Sequence, residues 1–80
     1  MYLYYDRISK MFTLDAGSDG VIFLGPFTQA LVTLRSYNLT DSQAREATLQ
    51  AFMNMGAPVD LAIIRKIASN ESKFFRRNIA

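Results

Sequence analysis

The apolar positions along this chain repeat at helical spacing in several places. Tyr4, Ile8, Met11 and Phe12 fall near one face of a helix over residues 2–14. The aromatic start, Tyr2 to Tyr5, suits a strand as well. Asp15 to Gly20 reads as a turn, since Gly supplies positive φ and Asp bonds its own backbone. Val21 to Leu24 is a short extended apolar piece, and Pro26 suits the first turn of a helix. Phe27, Ala30, Leu31 and Leu34 then form an amphipathic stripe that ends near Tyr37-Asn38. Thr40, with Gln43 three residues on, predicts a capping box. Ala44, Ala47, Ala51 and Met55 run along one side of the helix it opens, joined by Phe52, and Gly56 and Pro58 stop it. Val59-Asp60 is extended and leads into a last helix.

That last helix carries Ile64, Ile67, Ala68 and Phe75 on one stripe. Lys66, Asn70, Lys73 and Arg77 lie opposite, with Arg65 and Arg76 beside them. Glu71 falls within the apolar stripe. It either pairs with a cation or marks where the helix leaves the core, because an unpaired buried carboxylate is costly. A break at Ser69-Asn70 is the alternative. The sequence shows no linker or second domain.

Composition narrows the chemistry. Half of the 80 residues are hydrophobic, which favours a small globule with a modest core. The absence of Cys fits an intracellular location and excludes disulfides and thiolate metal sites. The absence of His removes the commonest general base and transition-metal ligand. No apolar run is long enough to span a bilayer, and the aromatic start with its early Asp6 is unlike a signal peptide. Residues 1–58 carry a net charge of −1 and residues 59–80 a net charge of +3. Such a basic end suits a solvated helix face, or attraction to acidic partners. An enzyme is disfavoured: the carboxylates are scattered, and Gly25-Pro26-Phe27-Thr28 lacks the Lys of a phosphate cradle. A membrane-surface role for the last helix meets a mixed, modest polar face.

The segment from Asp15 to Pro26 has the outline of a twelve-position calcium loop. Asp15 stands at position 1, Asp19 at 5, Gly20 at 6 and Ile22 at 8, while Gly17 and Pro26 leave positions 3 and 12 without side-chain oxygens. With the helical stripes on either side, the chain resembles a degenerate EF-hand pair of the calmodulin and myosin light chain superfamily. Met11 and Leu14 match the entering helix of a first hand at about residues 4–38, and Tyr37 to Ser42 matches the linker between hands. A second hand would lie at about residues 41–76, with its loop from Phe52 to Ile63. There Phe52, Met55 and Ile63 replace the first ligand, a residue of the tight turn and the final Glu.

The resemblance implies an all-α fold: four helices in a paired EF-hand lobe, with a two-stranded antiparallel pairing of Ile22 with Val59. It implies no cofactor and no metal, with Asp15, Asp19 and the Val21 carbonyl giving weak ion binding at most. It further implies a cytoplasmic, cytoskeleton-associated, calcium-independent adaptor that holds an amphipathic target helix, such as a myosin neck IQ motif, in an apolar groove. The matching groove positions are Leu14, Phe27, Leu31, Leu34, Phe52, Ile64 and Ile67, with Met11, Met53 and Met55 as adaptable contacts. Phe27 and Ile64 serve a core equally well. The alternative function is nucleic-acid binding: residues 42–68 as a helix-turn-helix, with Gly56 in the turn and Arg65-Lys66 entering the major groove.

Overall fold

The computed structural model describes residues 1–69, with side chains to Lys66. It is a four-stranded antiparallel sheet with three α-helices: β1 (Tyr2–Asp6), β2 (Met11–Asp15), β3 (Val21–Gly25), α1 (Phe27–Ser36), α2 (Asp41–Met53), β4 (Val59–Asp60) and α3 (Leu61–Ser69). The strands lie in the order β3-β2-β1-β4. The all-α expectation is therefore corrected to a mixed α/β architecture. The EF-hand, calmodulin-like and light chain reading, with its IQ-motif target, loses its structural basis.

The correction begins at residues 2–14, which form a hairpin and not a helix. Leu3 pairs with Leu14 and Tyr5 with Phe12, so these four side chains share one sheet face. Their period of two, in a stretch rich in aromatic residues, outweighs the helical stripe read from Tyr4, Ile8, Met11 and Phe12. Ile8, on that stripe, is 94% exposed at the hairpin tip. The tip is set by Asp6, whose carboxylate accepts from the Ile8 N–H and the Ser9 hydroxyl, each at 3.0 Å. Its carbonyl accepts from the Lys10 N–H at 2.8 Å. Such local Asp bonds favour a turn over a continuing helix.

The Asp15–Pro26 segment is a second hairpin connection running into β3. The Asp15 carboxylate accepts from the Gly17 N–H at 3.0 Å, a 3-10 turn spans Gly17–Asp19, and the Ala16 N–H donates to the Gly20 carbonyl at 2.8 Å. The Asp and Gly residues that outline an ion loop suit this tight turn equally well. Ile22 pairs with Leu14 and Val59 with Leu3. The expected Ile22–Val59 partners thus lie on strands at opposite edges of the sheet.

The later elements follow their sequence signals. Thr40 and Gln43 form the reciprocal capping box of α2, and Val59-Asp60 is extended. Leu3, Phe12, Leu14 and Leu24 from the sheet meet Ala30, Leu34, Ala44, Ala47, Ala51, Leu61 and Ile64 from the helices in one core. The alanine stripe lets α2 approach the sheet closely. Three long-range bonds anchor α3: the Arg65 guanidinium donates to the Tyr37 carbonyl at 2.8 Å, the Gln43 amide donates to the Arg65 carbonyl at 3.4 Å, and the Leu61 N–H donates to the Met1 carbonyl at 3.0 Å. The chain passes from α2 to α3 through β4, so residues 42–68 do not form the tight turn of a helix-turn-helix. Glu71, Phe75 and the basic cluster from Lys73 to Arg77 lie outside the described residues. No helix among the described residues is long and apolar enough to cross a membrane.

Candidate functional site

Covering one sheet face with α1 and α2 leaves an apolar trough where the β1–β2 hairpin meets the far end of α2. Four aromatic rings form its floor and walls. Tyr5 lies 4.7 Å from Phe12 and 5.2 Å from Phe52 between ring centroids, and Phe12 lies 6.4 Å from Phe27. All three pairs are tilted by 51–58°, within the range that favours the ring quadrupoles. Phe12 is buried, Tyr5 half-buried, and Phe27 and Phe52 exposed. The trough has two joined lobes. One, of about 310 Å³, is bounded by Phe12, Phe27, Thr48 and Leu49. The other, of about 410 Å³, is bounded by Arg7, Met53 and Met55. Tyr5, Lys10 and Phe52 line both.

The exposed apolar side of α2 supplies one wall. Leu49, Phe52 and Met53 recur at i, i+3 and i+4, beside the alanine stripe that faces the core. A helix normally has one apolar stripe turned inward; this second one has no partner among the described residues. Met55 follows with φ +56, next to Gly56 at φ +95, so the chain turns sharply under the trough.

The rim is cationic. Lys10, at φ +61 in the hairpin turn, and Arg7 stand over the apolar walls. Among the described residues neither makes an ion pair; the Arg7 guanidinium donates to the Met55 sulfur at 3.3 Å. Asp6, the nearest acid in sequence, has its carboxylate occupied by the turn. Those bonds from Ile8 and Ser9 hold its pKa below the ordinary carboxylate value.

The residues expected to bind a partner separate into groups. Phe27, Phe52, Met53 and Met55 do line the trough. Leu14, Leu34 and Ile64 are fully buried, so they are core and not groove, and Leu31 is half-buried against that core. Met11 pairs with Asp6 and lies on the opposite face of the sheet. The Ile67 side chain lies outside the described residues. Asp15 and Asp19 belong to the second hairpin turn, and no group of three or more Asp or Glu among the described residues could hold a metal ion.

Reading residues 2–14 as a helix hid Tyr5, Arg7 and Lys10. Leu49 could have been found: with Phe52 and Met53 it forms a second stripe on α2, visible once the alanines are assigned to the core.

The sheet face that no described helix covers carries Tyr2, Tyr4, Thr13, Val21 and Phe23, together with Asp6, Asp15 and Asp60. The three carboxylates disfavour a polyanion there. No family model, curated protein or solved structure matches the chain.

Proposed function

We propose that this protein is a binding module whose aromatic trough takes an amphipathic helix of another protein, with carboxylates flanking the helix's apolar stripe. The observation that carries this reading is the second apolar stripe of α2, opened into a groove by Tyr5 and Phe27 and rimmed by Lys10 and Arg7. Helix-in-groove recognition needs these parts: a wall of apolar side chains at helical spacing, and pockets for the partner's anchors. Met53 and Met55 add unbranched, polarizable contacts that adjust to a ligand's shape. The cations select for acid at the helix flank and speed encounter more than they add affinity. The light chain identity implied by the sequence resemblance forms no part of this reading.

A random peptide library panned against the folded protein, with counter-screens on Phe52→Ala and Lys10→Glu, tests it. Enriched peptides are expected to share bulky apolar residues at i, i+3 or i+4, and i+7, with Asp or Glu beside them. They should bind both variants more weakly, and the loss caused by Lys10→Glu should shrink as salt is raised. No enrichment, or peptides that bind both folded variants as tightly as the wild type, would overturn the proposal.

A further inference from the structure

We infer that a second copy of this chain pairs along the free edge of β3, joining two four-stranded sheets into one of eight strands. Among the described residues β3 pairs only with β2, and its outer side carries no strand. The Gly20 carbonyl accepts from the Ala16 N–H and so faces β2. Backbone polar groups alternate sides along a strand. Ile22 therefore faces β2, while the N–H and C=O groups of Val21 and Phe23 point outward. The irregular step between β2 and β3 lies past Phe23, where Phe12 meets Gly25, so Val21 to Phe23 remain regular.

Edge strands are normally protected by a charge, a proline or a short length. This one has none of those protections: it is five residues long, and no charged residue occurs from Gly20 to Leu34. Phe23 is 82% and Val21 61% exposed on the sheet face that no described helix covers. On the helix side, Leu24, Thr28, Gln29, Val32 and Thr33 form a neutral hollow of about 280 Å³ beside α1. Both surfaces flanking the edge are thus uncharged and partly apolar.

That pattern fits a second copy in particular. In an antiparallel two-fold pairing, Val21 of each copy sits opposite Phe23 of the other, with the two Ile22 residues at the axis. All four outward backbone groups of each strand are then satisfied, and each Val21 covers a Phe23. No like charges meet.

Sedimentation equilibrium of the full chain tests this. The expected mass is twice 9.0 kDa, with dissociation on dilution. Phe23→Lys places like charges near the axis and should weaken the dimer by roughly tenfold or more while leaving the circular dichroism spectrum unchanged. Since the chain has no Cys, Ile22→Cys gives a second readout: the two thiols meet at the axis and should form an intermolecular disulfide on mild oxidation. A wild type that stays monomeric at millimolar concentration, a folded Phe23→Lys variant that dimerises as tightly, or a dimer in which Cys at position 22 does not cross-link would each overturn the pairing.

Discussion

Tyr5 and Phe52 face each other with ring centroids 5.2 Å apart and planes tilted by 58°. One ring comes from the central strand β1 and the other from the end of α2. The contact thus ties the hairpin to the helix and forms the waist of the trough. Tilted aromatic pairs contribute about 0.5–1.5 kcal/mol beyond the area they bury. A double-mutant cycle with Tyr5→Leu and Phe52→Leu, followed by urea denaturation, should return a coupling energy in that range. A coupling near zero would show that the rings are neighbours without interacting.

Leu14 and Met53 make the division between core and groove measurable. Leu14 is fully buried between sheet and helices, whereas Met53 is 66% exposed. Leu14→Ala removes buried methyl groups and leaves a cavity, so it should cost about 2–5 kcal/mol. Met53→Ala should stay within about 0.5 kcal/mol. Peptide binding, in contrast, should weaken in Met53→Ala. Denaturation midpoints and binding to a selected peptide, measured on the same two variants, separate the roles.

Legibility in the sequence followed the range of the interactions. The capping box at Thr40 and Gln43, the alanine stripe of α2 and the extended Val59-Asp60 were readable because each signal lies within a few residues. The hairpin was not, because its partners, such as Leu3 and Leu14, alternate across a turn whose composition also permits a helix. Strand pairing is a long-range choice, and it decides which face each apolar residue takes. Once β1 and β2 paired, Leu14 became core and Tyr5 entered the trough. That single change moved the candidate site. Four of the ten expected groove residues line the trough: Phe27 from α1, Phe52 and Met53 beside the alanine stripe of α2, and Met55, which the stripe had included but which lies past the end of that helix.

Gly25 closes β3 at φ +85, and a Cβ built there would meet the Gln29 side-chain oxygen at 2.5 Å. That oxygen is the far end of a flexible side chain and can move aside. The backbone conformation cannot relax as easily, and it costs an L-residue about 1–2 kcal/mol. Gly25→Ala should therefore be destabilised by about that amount, and adding Gln29→Ala should recover little of it. A double variant as stable as the single Gln29→Ala variant would show that crowding, not φ, restricts this position.

Asp6 gives the fold a defined acid response. Hydrogen bonds from the Ile8 N–H, and then from the Ser9 hydroxyl, lower its pKa from the ordinary value of 3.8. The folded state therefore favours the ionised form, and the resulting stabilisation is fully present above 3.8. It is lost as pH falls through the lower folded value, where the carboxylate protonates in both states. The Tm difference between wild type and Asp6→Ala should be constant from neutral pH down to about that ordinary value and shrink below it. Other carboxylates titrate in both proteins, so their contribution cancels in the difference. Ser9→Ala should move the folded pKa of Asp6 part of the way back, as followed by the NMR shift of its carboxyl carbon. A Tm difference that persists unchanged into strong acid would mean that Asp6 stabilises the turn through its shape and not its charge.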